Sequence, residues 1–538
     1  MTVRRALPTV WSWVMALAVC APLLQPGYVL SYDMVWVPRL SLDRRDVWGL
    51  GEALPRAVPS DAVVGLLNIA IPGQLLQKLI LVGMLAGAGC AIVRLVPSPS
   101  VVARCAAASL YVWNPFVAER LNLGQWPLLV AYAAMPWVIV LARDLERRGR
   151  LAPLVMALAL TALTPASGLM GAGAVLVCAW PGPAGRRARL MRVTAVALAV
   201  NAPWIVSGLL HGGGARSDAA AVKAFSAQAE GALGHLGAIL SLGGIWNVDV
   251  APASRLLGLA LVFAIVLWVV IALGLLVLVR THATLLAPLV ILGVTGLALA
   301  LAGWLAPSLV SWVVSTVPGG GLVRDGTRYL ALLAPLWAIG FGLGAEAIVK
   351  AVTFKEARII VAIGVLAMPI AALPDLAWGV GGRLEPVAYP ASWYAAERAI
   401  ASEPDGPLLV LPFNAYRAPA WNGGRPVLDP AGRFFPRLTI VNDELTVSDT
   451  TIKGENPQAR RIEKILEGSN VSARLRAEGI GLVVTSSPDP LRYERLEGAV
   501  SPTLLDRSDV VVMILAWLLA AGAIVLAAIT LVRHRLER

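Results

Sequence analysis

The sequence predicts a mainly α-helical, polytopic membrane protein: a bundle of about twelve transmembrane helices with a small extracytoplasmic α/β domain near the C-terminus. Three observations lead there. Of the 538 residues, 58% are hydrophobic and only 14% charged, and the mean hydropathy is +0.73. Apolar runs of about twenty residues recur along the chain, each long enough to cross roughly 30 Å of hydrocarbon as a helix. Arginines cluster in the short connections between those runs, whereas one long segment, 379–507, is polar and has no such run. A single water-soluble core does not account for this pattern.

Taken in order, the runs predict spans over 8–30, 74–96, 101–117, 126–143, 151–165, 168–181, 193–210, 254–279, 283–303, 328–349, 358–378 and 508–532. The first begins like a secretory signal, with Arg4 and Arg5 ahead of an apolar stretch. No small-x-small site precedes the polar loop, and Val19 is a poor residue before Cys20, so it reads as an uncleaved span. The fifth and sixth runs are short and share the break Thr164-Pro165-Ala166-Ser167-Gly168. Placing Arg4 and Arg5 in the cytoplasm puts there also Arg143-Arg147-Arg148-Arg150, Arg186-Arg187-Arg189-Arg192, Lys350-Lys355-Arg358 and Arg533-Arg535-Arg538, which satisfies the positive-inside rule. Both termini are then expected in the cytoplasm, in a plasma membrane. Segments 31–60, 118–125, 211–250, 304–327 and 379–507 are expected outside.

The 379–507 segment mixes strand-like runs at 408–411, 438–441 and 480–485 with helical patterns around 392–402 and 456–478. The expected organisation is a helix bundle over 1–378, an extracytoplasmic α/β domain over 379–507, and a closing span with a basic tail over 508–538.

Several classes of function are excluded or disfavoured. The net charge of +12 sits largely in the arginine-rich connections, where membrane orientation explains it, so nucleic-acid binding is not expected. Cys20, Cys90, Cys105 and Cys178 all lie in apolar runs, which suggests neither a disulfide framework nor a zinc site. There is no phosphate-binding G-x-x-x-x-G-K-[ST] loop, no G-x-G-x-x-G after a strand, no H-E-x-x-H and no C-x-x-C. Charged residues deep in the spans are nearly absent, unlike the usual pattern of proton or ion relays; Lys78, early in the second span, is the main exception.

The polar residues gather instead in loops on one side. Asp33, Asp43 and Asp46 follow the first span; Glu119, Arg120 and Gln125 follow the third; Arg324, Asp325 and Arg328 precede the tenth. A carboxylate there can act as a base toward a hydroxyl, and cations beside it can hold a phosphate leaving group. Each has a plainer reading as well. Asp33 beside Tyr32 suits the polar end of a helix leaving the membrane. Asp43-Arg44-Arg45-Asp46 suits a self-paired solvated run. Arg324 and Arg328, after Pro318-Gly319-Gly320-Gly321, suit lipid headgroups equally. Between 411 and 435, Trp421, Asn422 and Arg425 suit a carbohydrate, or a polar loop packed on the bundle.

The layout of spans, an aspartate directly after the first helix and a late outer α/β segment together resemble the GT-C class of membrane glycosyltransferases. The segments YVWNPFVAERLNLGQWPLLVAYAAMPW (111–137) and LVRDGTRYLALLAPLW (322–337) are similar in character to actinobacterial arabinofuranosyl- and mannosyltransferases of cell-envelope synthesis. The resemblance implies a polyprenyl-phosphate sugar as donor, an arabinofuranose or mannose unit as the sugar, and a cell-envelope glycan or glycolipid as acceptor. It implies Asp33 as the base, with Asp43 or Asp46 as substitutes. Nucleotide sugars are cytoplasmic, so an outward-facing site independently calls for a lipid-borne donor, whose phosphate is expected among Lys78, Arg324 and Arg328. Glu119, Arg120, Gln125, Trp421, Asn422 and Arg425 are the expected substrate-binding residues. The family often carries two adjacent acids, or two separated by one residue, in the first outer loop. Here Tyr32-Asp33-Met34 has a single acid, and Asp43 and Asp46 lie three apart. No metal ligands are named, a divalent cation stays open as cofactor, and two other functions stay open: a lipid or glycan transporter or flippase, and a non-catalytic glycan-binding assembly partner.

Overall fold

The computed structural model describes residues 3–51, 54, 56–180, 185–211, 220–403, 406–447, 450–486, 490–499 and 506–537. Arg538 and part of the expected 211–250 loop lie outside the described residues. Among the described residues, eight helices are long and apolar enough to cross a membrane: Ala6–Leu24, Gly73–Leu95, Val101–Asn122, Trp126–Leu145, Arg186–Leu210, Leu259–Thr281, Ala283–Leu305 and Arg507–Leu536. Two further runs are bent helix pairs, Gly326–Leu332 with Ala334–Ala351 at 44° and Lys355–Ala372 with Pro374–Gly381 at 72°, giving up to ten spans.

Twelve full-length spans are thus not all seen among the described residues, and with each bent pair taken as one span the fifth and sixth runs account for the difference. They form Leu151–Thr161 and Pro165–Ala179, of 11 and 15 residues. At 1.5 Å per residue these reach only about 16 and 22 Å, short of a full crossing. Thr164 divides them: its side chain caps the second helix by accepting from the Ser167 amide at 3.3 Å, and Pro165 at the first helical position cannot extend the preceding one. The first span also stops early, at Leu24 instead of residue 30. Pro22, Pro26 and Gly27 break the helix, and Tyr28–Val29 becomes a short strand.

A similar break shapes the third span. Its first part ends at Val112, and Asn114 starts the second, Pro115–Asn122, by accepting from the Val117 amide at 3.1 Å. Elsewhere the bundle packs through glycines. A Cβ on Gly274 would collide with the Gly340 carbonyl, and one on Gly344 with the Val270 carbonyl, so Leu259–Thr281 and Ala334–Ala351 meet backbone to backbone. Small residues permit that approach between membrane helices, where van der Waals contact drives association. Outward-facing side chains such as Leu515, Leu518 and Leu526 remain exposed, as a lipid-facing surface requires.

Between the bent pairs and the final helix lies a four-stranded sheet in the order Arg492–Arg495, Leu482–Thr485, Leu408–Leu411, Thr439–Ile440. The first two pair antiparallel and the others parallel. Helices Ala391–Ser402, Pro457–Leu466 and Val471–Ala477 accompany it. The expected single helix over 456–478 is two helices, divided before Val471 by Asn470, whose φ of 55° no helix interior adopts. This segment is stitched to the first loop of the bundle. Tyr28–Val29 pairs antiparallel with Pro386–Val387. Tyr32 donates its amide to the Pro426 carbonyl at 2.7 Å, and the Leu428 amide returns to the Tyr32 carbonyl at 2.8 Å.

Candidate active site

The stitching brings four distant stretches around one cavity of about 1530 Å³. Ligand pockets ordinarily run to roughly 300–1,000 Å³, so this one has room for two reactants. Its lining includes the apolar residues Trp36, Leu40, Trp126, Trp204, Leu209 and Val317. It also includes the charged residues Asp33, Asp46, Arg56, Asp61, Arg324, Arg328, Arg433, Asp443 and Glu455, among others. A lining that mixes aromatic and aliphatic side chains with charged ones suits a molecule with both apolar and polar parts.

Asp33 stands at the junction of bundle and late segment. Its amide donates to the Leu123 carbonyl at 3.0 Å. Gly124 makes the close approach possible: it has φ of 82°, and a Cβ there would collide with backbone atoms of Ser31 and Met34. The Asp33 carboxylate is held at both oxygens by neutral donors. The Tyr416 hydroxyl, 383 residues later, donates to Oδ1 at 2.5 Å, and Gln125 Nε2 donates to Oδ2 at 3.2 Å. Burial first, then the negative Asp33 and its hydrogen bond, push the Tyr416 phenol well above its ordinary range, so it remains a donor at neutral pH. Among the described residues no cation lies within ion-pair distance of Asp33.

Behind Gln125 lies a buried network. Arg120 Nη1 donates to Gln125 Oε1 at 2.8 Å and to Asp325 Oδ2 at 2.9 Å; Nη2 donates to Asp325 Oδ1 at 3.1 Å and to Thr327 Oγ1 at 2.6 Å. Arg328 Nε donates to Asp325 Oδ2 at 2.9 Å. Burial alone would raise the Asp325 carboxyl, but Arg120, Arg328 and the hydrogen bonds from Arg120 and Thr327 hold it well below the usual carboxylate range.

Arg324 takes part in a second network. Its Nη1 meets Glu455 Oε1 at 3.0 Å, while Arg56 meets Glu455 Oε2 at 2.9 Å, and its guanidinium lies 4.8 Å from the centre of the Phe225 ring. Burial, then the like charge of Arg56 and, after the opposing pull of Glu455, that of Arg328, bring the Arg324 guanidinium down to about 10. Arg56, Arg324 and Arg328 thus share this part of the lining, each beside a carboxylate: Glu455 for the first two and Asp325 for Arg328.

The other expected residues fall elsewhere. Lys78 does not reach the cavity: Nζ donates to the Leu23 and Gly27 carbonyls at 2.7 and 3.1 Å, closing the end of the first span. Asp43 is off the cavity and bonded to Ser41, and Asp46 lines it but is paired with Arg44. Glu119 is buried facing Glu230: a Cβ on Gly243 would lie 2.6 Å from Glu230 Oε1 and 2.9 Å from Glu119 Oε1. Arg120 is 1% exposed and Gln125 lines the cavity, so of that trio one residue can meet a ligand directly. Trp421 packs on Tyr389 and Trp393 with ring centroids 5.1 and 5.6 Å away; Asn422 is buried and donates to the Arg425 carbonyl at 2.9 Å; Arg425 pairs with Glu385 at 2.9 Å. These three stabilise the loop that meets the first strand and do not line the cavity.

Sequence reading missed Arg56, Asp61, Arg433 and Glu455, and did not join Tyr416 to Asp33. No local pattern signals a partner hundreds of residues away. Among the described residues no group of three or more His, Cys, Asp or Glu side chains converges in the manner of a metal site, and Asp46 and Asp61 each face an arginine, Asp61 meeting Arg433 at 2.9 Å. The described residues at the cavity therefore do not assemble such a cluster.

No protein-family model and no curated sequence matches the chain. Solved structures do. The cryo-EM structure of arabinofuranosyltransferase AftD from mycobacteria matches 90% of this chain with a TM-score of 0.56 at 16% identity, and a mutant of the same protein matches 90% with 0.54 at 17%. The chain has the fold of AftD. It spans 35% and 37% of the two AftD chains, so the likeness concerns one part of a longer protein. The likeness concerns the fold, and within it eight helices among the described residues are long and apolar enough to cross a membrane, the pattern of a multi-pass membrane protein.

Proposed function

We propose that this protein is a membrane glycosyltransferase that moves a sugar of the arabinofuranose or mannose class from a polyprenyl-phosphate donor to a hydroxyl of an envelope glycan or glycolipid on the outer face. The observation that carries the reading is the cavity itself, which gathers the Asp33 carboxylate, without an ion-pair partner among the described residues, the arginines Arg324 and Arg328, and apolar side chains, all on an AftD-like fold.

Asp33 is the base. It takes the proton from the acceptor hydroxyl as that oxygen bonds to the anomeric carbon. The bond from the anomeric carbon to the phosphate oxygen breaks, and its electron pair leaves with the polyprenyl phosphate. Arg324 and Arg328 meet the charge that develops there. The fixed donors Tyr416 and Gln125 aim the carboxylate without neutralising it. The apolar lining residues Trp36, Trp126 and Trp204 receive the first isoprenoid units.

Membranes bearing wild type or Asp33→Ala, supplied with radiolabelled polyprenyl-phosphate arabinose or mannose, test the proposal. Transfer by wild type and its loss in the variant are expected. Equal transfer by both removes Asp33 from the chemistry. No transfer by either, over several donors and acceptors, favours a transporter or a non-catalytic assembly partner.

A further inference from the structure

Gln125 has one orientation open to it. Arginine offers only donors, so the amide must turn Oε1 to Arg120 and leave its N–H for the Asp33 carboxylate. Arg120 is itself fixed, 1% exposed and bonded to Asp325 and Thr327 as well as Gln125. Asp325, 0% exposed, also accepts from Arg328, whose side chain is 24% exposed at the cavity. A continuous chain thus runs from Asp33 through Gln125, Arg120 and Asp325 to Arg328, joining segments from three parts of the sequence. Arg120, Asp325 and Thr327 do not line the cavity, so they touch no substrate. Stability alone gives little reason for such a pair, since apolar residues of similar volume generally serve as well.

We propose that Gln125 is a positioning residue for Asp33, and that the Arg120–Asp325 pair is the pivot fixing the base and the phosphate-facing Arg328 in one frame. The inference rests on Asp33 being the base. It makes Gln125 an oriented donor, not merely a ligand contact, and converts Arg120 from an expected substrate contact into a part of the framework.

Two substitutions separate this from a structural role. Gln125→Glu keeps an acceptor for Arg120 but turns a carboxylate toward Asp33. Gln125→Met removes both bonds at similar volume. If Gln125 positions the base, Gln125→Glu lowers kcat about tenfold further than Gln125→Met does, while both leave the donor KM within about twofold. Its Tm is at least that of Gln125→Met. A merely structural residue gives the reverse order in kcat, because the variant that keeps the Arg120 bond is then the milder one, and that result overturns the proposal. So does a kcat for Gln125→Glu near that of wild type. Asp33→Ala in the same assay distinguishes the failures. Full activity there defeats the assignment of the base, whereas an inactive Asp33→Ala beside an active Gln125→Glu defeats only the positioning role.

Discussion

At the scale of single residues, the buried Arg120–Asp325 pair gives the sharpest expectations. Removing Asp325 leaves a guanidinium that is 1% exposed without its main partner, and breaking a buried pair in this way costs about 3–5 kcal/mol. Asp325→Ala is therefore expected to lose most of its folded population in detergent, visible as a fall in Tm. The pH dependence follows from the direction of the shift. The folded carboxyl lies below its unfolded value, so its stabilisation is complete above the unfolded range near pH 4 and declines only as pH falls further. A thermal-melt series should be flat in this contribution from pH 5 to 8, and the Asp325→Asn variant should lose the drop that wild type shows below about pH 4. Arg324 and Arg328 differ in support. Arg328 is tied to the pivot, whereas Arg324 is shared with Glu455 of the late segment. Arg324→Ala should raise the donor KM about tenfold or more with a smaller change in kcat, measured with the lipid donor varied.

At the scale of elements, the spans were legible because each is an uninterrupted apolar run, and the breaks were legible where proline or a capping side chain falls inside one. Thr164-Pro165 was seen as a break, yet its consequence, two helices too short to cross, depends on their packing. The strand-like runs around 408–411, 438–441 and 480–485 contain the observed strands Leu408–Leu411, Thr439–Ile440 and Leu482–Thr485, because buried parallel strands are continuous runs of β-branched and leucine residues. The two-residue strand Tyr28–Val29 was not legible, since its partner is Pro386–Val387 and no local periodicity marks it. The site divides in the same way. Asp33, Arg324 and Arg328 line one cavity, a convergence that helix ends and glycine breaks in the sequence suggest. Glu119 and Arg120, expected to bind substrate, are instead buried off the cavity, because the Asn114-Pro115 break folds their helix inward, against Glu230 and Asp325. The element that aims Asp33 is the turn after this helix, and Gly124 is its essential residue. Gly124→Ala adds a Cβ at φ of 82° against the backbone of Ser31 and Met34. It is expected to cost at least about 1–2 kcal/mol and to displace the first loop, so transfer activity should fall even in the fraction that remains folded.

At the scale of the whole molecule, the cavity and the basic connections lie at opposite ends of the bundle. Trp126–Arg148 starts at the cavity, where Trp126 and Pro127 line it, and ends in the arginine cluster. Arg186–Leu210 runs the other way, from arginines to Leu209 at the cavity, and Arg507–Leu536 begins next to Asp506 at the cavity and ends in the basic tail. Three helices thus agree on one polarity, with the four-stranded sheet on the cavity side. Since arginine-rich connections are retained in the cytoplasm, that polarity predicts an outward-facing cavity. It can be measured with thiols, because the native cysteines supply little background: Cys20, Cys105 and Cys178 are buried, and Cys90 is half-buried within an apolar helix. Ser402→Cys, exposed beside the sheet, should react with an impermeant maleimide in intact cells, and Ala188→Cys, exposed at the arginine-rich end, only after permeabilisation. Labelling in the opposite order would turn the cavity toward the cytoplasm. A soluble nucleotide sugar could then reach it directly, and the need for a lipid-borne donor would disappear with the outward orientation that requires it.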